Sequence, residues 1–143
     1  MIKIFEISKA DDETFDAVNR LLPQLSKSAN LINFEKLHKL CNSECSRLYV
    51  AKEGEFILGM LSLVVFSIPT GTKAWIEDVV VDQKARGKGV GKALMNHALD
   101  ESKKCGVKSI DLTSRPSRES ANKLYQSLGY EVRETNVYRY KFS

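Results

Sequence analysis

The sequence predicts one mixed α/β domain: a mostly antiparallel sheet of about seven strands, flanked by about four helices. Three observations carry that reading. With 143 residues, 43% of them hydrophobic, the chain is one domain long and able to bury a core without disulfide staples. Its apolar periodicity switches repeatedly between two and 3.6 residues. Finally, hairpin patterns fill the first half, whereas one strand–helix–strand unit stands in the second.

Taken in order, residues 1–7 alternate and read as a strand. Asp11-Asp12-Glu13 then offers an N-cap for a helix with Phe15, Val18, Leu22 and Leu25 at helical spacing. A second helix begins near Asn33, with Phe34, Leu37 and Cys41 on one face. Residues 47–52 and 55–67 read as a hairpin turning at Glu53-Gly54, and Pro69-Thr70-Gly71 ends it. Residues 73–82 form a further strand, with Trp75, Glu77, Val79 and Val81 on one face by alternation. Val90, Leu94 and Ala98 then open a helix that Gly106 closes. Residues 107–113 are a strand, which a right-handed crossover would set parallel to 73–82. Ala121, Leu124, Tyr125 and Leu128 make a short helix ending at Gly129, and residues 130–133 and 136–142 form a closing pair of strands.

Composition and charge exclude several classes of function. The apolar stretch 56–68 is broken by Gly59 and Ser62 and is too short for a membrane helix, which needs about 20 apolar residues. The N-terminus turns acidic by Asp11, unlike a signal peptide, so a cytoplasmic protein with no membrane contact is expected. Cysteines are odd in number, which argues against a disulfide framework. His38, Cys41 and Cys45 match no closed zinc spacing, and no metal is expected. Residues 83–99 hold Lys84, Arg86, Lys88 and Lys92 with no acid, and so account for the whole net charge of +4. Charge confined to one short segment favours one compact anionic ligand over a nucleic acid, and no nucleic-acid partner is expected.

That segment is also glycine-rich. Gly87, Gly89 and Gly91 lie directly before and within the start of a helix, where free N–H groups and the helix dipole favour an anion. Arg86, Lys88 and Lys92 add charge at the same point. The pattern reads as a phosphate or pyrophosphate cradle. A P-loop would need glycine where Arg86 stands and Ser or Thr where Ala93 stands. A dinucleotide fingerprint would need its third glycine at Lys92, and too few residues follow for that fold.

Arg86-x-x-Gly89-x-Gly91, after a hydrophobic strand and opening a helix, resembles the signature of the GNAT superfamily of acetyl-CoA-dependent N-acetyltransferases. Ala121-x-x-Leu124-Tyr125-x-x-x-Gly129-Tyr130 resembles that family's second motif, which commonly ends in Phe. The resemblance spans essentially the whole chain, and implies one domain over residues 1–143 with its sheet splayed at the centre. It further implies acetyl-CoA as co-substrate, its pyrophosphate held by backbone N–H groups of Arg86, Gly87, Lys88, Gly89, Val90, Gly91 and Lys92. Val79 and Val81 would bond the pantetheine arm like an added strand, and a backbone N–H near Val79 would polarise the thioester carbonyl. Tyr125 takes the place of the tyrosine that protonates the departing sulfur.

The base is less determined. Glu77 is the candidate, because a lone acid amid Trp, Ile and Val has a raised pKa when buried; Asp78 is its rival across the pleat. Where many relatives carry a cofactor-binding Asn, seven residues before Tyr125, this chain has Arg118, with Arg115 nearby. These arginines would grip a CoA phosphate or a substrate carboxylate, and Asn122 would take over part of the missing contact. His97 reads as a packing or surface residue. The expected reaction is acetyl transfer to a primary amine of a small molecule by direct attack in a ternary complex. The alternatives are a protein lysine or N-terminal acetyltransferase, and a non-catalytic acyl-CoA-binding regulatory module. A homodimer through the C-terminal strands fits the same resemblance.

Overall fold

A computed structural model describes all 143 residues, which divide into two units, Met1–Thr113 and Ser114–Ser143. In the first unit the order is β1 (Ile2–Glu6), α1 (Asp12–Leu25), α2 (Phe34–Cys41), β2 (Ser46–Glu53), β3 (Phe56–Ile68), β4 (Gly71–Val81), a 3-10 turn (Gln83–Ala85), α3 (Val90–Lys104) and β5 (Ile110–Asp111). The strands lie side by side in sequence order, antiparallel except for the β4–β5 pair, which is parallel as a crossover requires. The second unit holds one helix, α4 (Glu119–Ser127).

Local signals explain the helix starts. The Asp11 carboxylate accepts the Thr14 N–H at 2.8 Å, and Asn33 Oδ1 accepts the Lys36 N–H at the same distance. Between these helices the Asn19 side-chain amide donates to the Ile32 carbonyl and accepts from the Ile32 N–H, which holds the connecting loop against α1. The core on this side gathers Ala17, Val18, Leu21 and Leu37 from the helices against Leu48, Val50, Ile57, Met60 and Val80 from the sheet. The buried stripe of α1 is Thr14, Ala17, Val18 and Leu21; of the expected Phe15–Val18–Leu22–Leu25 line Val18 lies within it, and Phe15, Leu22 and Leu25 pack at its margin. Full burial of a Leu such as Leu21 or Leu37 contributes roughly 1.5–3 kcal/mol.

On the opposite face, α3 presents Val90, Leu94 and Ala98, all buried as its spacing predicts. Gly59 of β3 lets it approach. A Cβ there would stand 2.9 Å from the Val80 carbonyl oxygen, 3.2 Å from Val90 Cγ1 and 3.3 Å from Leu94 Cδ1. The glycine that interrupts the apolar run is thus the seat of the helix N-terminus.

Two sequence expectations need correction. The sheet has five strands, not seven: residues 107–113 shorten to the two of β5, and 130–133 and 136–142 form no strand. The alternation at 136–142 is real, but a strand also needs a ladder partner; without one Val132, Val137, Tyr138, Tyr140 and Phe142 remain exposed. Simple alternation also fails within β4. Ser62 pairs with Glu77 and Met60 with Val80, so Asp78 and Val79 together oppose Leu61 in a bulge. Residues directly opposite share a face. Glu77 therefore shares its face with Val80 and the α1–α2 core, while Val81, opposite Gly59, faces α3.

Candidate active site

The anion turn has the backbone that its glycines predict. Gly87 and Gly89 adopt φ of +83° and +81°, in the left-handed region, with open space where a Cβ would project. Gly89 occupies the N-cap position of α3 and no side chain caps the helix; the Ala93 N–H is the one that returns to the Gly89 carbonyl. The N–H groups of Val90, Gly91 and Lys92 are left to point out of the helix end, with the positive end of its dipole, whereas the Arg86 N–H, expected in the cradle, is taken up by the Gln83 carbonyl at 3.5 Å. Arg86, Lys88 and Lys92 are exposed around this point and form no ion pair, whereas Val90 is buried and anchors the turn. Gly91 lies in the first turn of α3. Such an arrangement suits a multiply charged anion, through backbone N–H groups and flexible cations.

The strand leading into the turn is open on one side. β5 pairs with β4 only at Ala74 and Trp75, so from Ile76 to Val81 the edge away from β3 has no strand. This is the expected splay. The Asp82 N–H donates to the Leu58 carbonyl across the β3 side at 2.7 Å, so alternation turns the Val81 peptide groups to the open edge. Val79, half-buried, directly follows the positive-φ residue Asp78 (φ +50°) in the bulge. Asp is among the few side chains that tolerate that conformation.

Glu77 is exposed, and its Oε2 accepts the Trp75 indole N–H at 2.6 Å. The acid is thus not enclosed by the apolar residues around it; what the structure supplies is orientation by the indole. Asp78 is also exposed, and its bulge position leaves it off the regular pleat. His97 is half-buried with its ring edge-on to Tyr49, centroids 4.6 Å apart, and Nε2 3.8 Å from Glu101 Oε1. His38 meets Asn42 at 3.2 Å through a ring nitrogen, and it does not gather with Cys41 and Cys45 into a ligand cluster.

At the entrance to the turn, Asp82 was overlooked by sequence reasoning. It is 4% exposed, and its Oδ1 accepts the Lys84 N–H at 3.1 Å, capping the 3-10 turn. Its Oδ2 accepts from Arg20 Nε at 3.1 Å. An Asp before a glycine-rich turn is a usable capping signal, but its partner lies 62 residues away and leaves no local trace.

In the second unit, Tyr125 is buried (6% exposed) and burial raises its phenol pKa, with the Arg118 guanidinium beside it pulling the other way. The hydroxyl thus stays protonated at neutral pH, as a proton donor must. Arg118 sits at the N-cap of α4. Asn122 Nδ2 donates to the Arg115 carbonyl at 2.9 Å, so this amide ties the helix to the preceding loop. Gly129 (φ +97°) ends α4, the Tyr130 N–H donates to the Tyr125 carbonyl, and the two tyrosine rings lie 6.2 Å apart. Burial raises the Tyr130 phenol pKa to about 12, and its hydroxyl finds no hydrogen-bond partner.

Residues 12–130 match the family described as Acetyltransferase (GNAT) family. Over 143 aligned residues the chain is 26% identical to an uncharacterized N-acetyltransferase, YhdJ, of Bacillus subtilis, covering 97% of this chain and 98% of that protein. A shorter match, 38% identical over 58 residues, is to the ribosomal protein bS18 alanine N-acetyltransferase of Escherichia coli; it covers 41% of this chain and 39% of that one. Among solved structures, an aminoglycoside acetyltransferase from an uncultured soil metagenomic sample superposes with a TM-score of 0.85 at 23% identity, covering 99% of this chain and 96% of that one. A transcriptional regulator from Bacillus halodurans superposes with a TM-score of 0.84 at 24% identity, covering 99% and 100%. At such identities the superpositions speak to fold. No helix is long and apolar enough to cross a membrane.

Proposed function

The chain belongs to the GNAT family of acetyltransferases, and on that premise we propose that it transfers the acetyl group of acetyl-CoA to a primary amine of a small molecule, by direct attack in a ternary complex. One observation carries the cofactor half of this reading. The uncapped N-terminus of α3, framed by Gly87, Gly89 and three unpaired cations, adjoins the strand whose far edge is open from Ile76 to Val81. A pyrophosphate suits the first feature, and an amide-bearing pantetheine arm suits the second.

In the proposed reaction a neutral amine nitrogen forms a bond to the acetyl carbon, and the carbon–sulfur bond breaks. The amine proton leaves to water or to Glu77, whose carboxylate is oriented by Trp75. Tyr125 gives its proton to the departing thiolate, a role supported by its buried, protonated phenol. Arg118 and Arg115 are assigned to a CoA phosphate or a substrate carboxylate, with Asn122 holding their loop. The whole chain acts as one domain in the cytoplasm, without metal, and the exposed Val137, Tyr138, Tyr140 and Phe142 favour self-association into a homodimer.

A second reading, acetylation of a protein N-terminus, draws on the local match to the bS18 alanine N-acetyltransferase. The deciding experiment begins with thermal unfolding in acetyl-CoA, with NADH and ATP as controls. Acetyl-CoA at about 100 times its dissociation constant adds roughly 2.7 kcal/mol and raises the midpoint by several degrees. No shift, or a shift with the controls instead, ends the acetyltransferase reading. Thiol release is then measured with amines and with peptides, using Tyr125→Phe as the catalytic control. Release with peptides alone selects the second reading, and binding without release to any acceptor selects a regulatory module.

A further inference from the structure

We propose that Arg20 and Asp82 are positioning residues that hold the anion turn from helix α1, so that ligand binding at the turn and the seating of α1 form one equilibrium. Two residues one helical turn apart on α1 grip two consecutive residues at the start of the turn. Arg20 Nε donates to Asp82 Oδ2 at 3.1 Å, and the Gln83 N–H donates to Gln24 Oε1 at 2.8 Å. Arg20 also donates through a terminal nitrogen to the Ile57 carbonyl, and its guanidinium lies 4.5 Å over the Phe56 ring. The arginine therefore joins three elements: α1, the start of β3 and the end of β4.

The anion turn is held at both ends but not in its middle. At its exit Val90 is pinned beside Gly59. At its entrance Asp82 caps the 3-10 turn through the Lys84 N–H, the Ala85 N–H returns to the Asp82 carbonyl, and the Arg86 N–H returns to Gln83. Between them Gly87, Lys88 and Gly89 are exposed. The Asp82 side chain is only 5% exposed, and a carboxylate so enclosed needs its cation. When Arg20 is removed, Asp82 seeks water, and the simplest route is to leave its cap and loosen the entrance. A planar guanidinium with several donors can satisfy Asp82 and the Ile57 carbonyl together, which an ammonium cannot do with the same geometry. Since α1 carries the other end of the clamp, a ligand that stiffens the turn stiffens α1 as well. Only the cofactor arm of this inference rests on the acetyl-CoA reading.

Amide hydrogen exchange on the full chain, free and saturated with coenzyme A, tests it. In free Arg20→Met and Asp82→Asn, the amides of Lys84, Ala85 and Arg86 should exchange at least about tenfold faster, as loss of a charge-assisted bond predicts, while β2–β3 ladder amides keep their rates. Arg20→Lys should fall between. Coenzyme A should slow exchange of α1 amides around residues 20–25 in the wild type but not in Arg20→Met. Its dissociation constant should rise about tenfold in that variant. Unchanged turn exchange in both variants overturns the proposal, as does uniform acceleration of turn and sheet together, which a merely structural ion pair would give. Faster turn exchange in the variants with no wild-type response to coenzyme A supports the clamp and overturns the acetyl-CoA reading instead. If Arg20→Met does not fold, Gln24→Ala removes the milder contact and should move the same amides in the same direction.

Discussion

Helices α1 and α3 begin in opposite ways. The first has an extended N-cap, Asp11, whose carboxylate occupies the helix end and accepts the Thr14 N–H. The third has a left-handed glycine and no capping side chain, and lysines and an arginine surround it instead of acids. A helix N-terminus attracts negative charge in either case. In α1 the protein supplies that charge from its own chain and gains stability. In α3 it forgoes the cap, and the N–H groups stay unmet, as the proposed binding of a phosphate there requires. Packing makes good the loss, because Val90 and Leu94 are locked against Gly59.

The largest effect should come from giving α3 the cap of α1. Gly89→Asp places a carboxylate where the phosphate would sit, and should weaken acetyl-CoA binding by at least about 100-fold, read by calorimetry. Stability should change by no more than about 1 kcal/mol, because Asp tolerates the left-handed region. Next, Gly59→Ala forces a Cβ toward the Val80 carbonyl and α3, and should cost about 1–3 kcal/mol in denaturant unfolding. Affinity for acetyl-CoA should fall with it, since the helix end is displaced. Asp11→Ala should cost about 1 kcal/mol and leave acetyl-CoA affinity untouched, which is the sharpest form of the contrast.

The same cap carries a pH signature. Hydrogen bonds from Thr14 hold the Asp11 carboxyl below its ordinary pKa, 3.8. Its stabilisation is thus complete above that value and lost as pH falls through the lower folded-state pKa; an acid titration of stability should lose this component in Asp11→Ala. The smallest effect is at Tyr130. Its buried hydroxyl has no partner, so Tyr130→Phe should be neutral or stabilising by about 0.5 kcal/mol. Wild-type stability should also fall as pH rises from about 10 towards about 12, because only the unfolded phenol ionises freely there. The variant should lack that component.

What could be read in advance follows the range of the interactions involved. Gly87 and Gly89 were legible because left-handed backbone demands glycine locally, and the charge of the turn is contiguous in sequence. The Asp11 cap and the Val90–Leu94–Ala98 stripe were legible for the same reason. Gly59 was not, because its purpose is a helix that arrives some thirty residues later. Neither was the Arg20–Asp82 pair, which no periodicity announces. At residues 136–142 alternation was present but pairing was not, since a strand is a property of two segments. Glu77 falls on β4 as its pattern predicts, but its burial was open; exposure depends on what covers the strand, and the strand's own letters do not say.

The bulge at Asp78 separates two demands on one strand. Skip that residue, and Ile76, Glu77, Val79, Val80 and Val81 alternate without a fault, each on a face its neighbours in β3 already accept. As a piece of sheet, β4 is complete with one residue fewer. Asp78 is therefore an insertion the core does not require, placed in the stretch where the sheet's edge lies open. A chain lacking it should melt much like its parent and fail as a transferase, so a screen for folding alone would pass it and a screen for turnover would not.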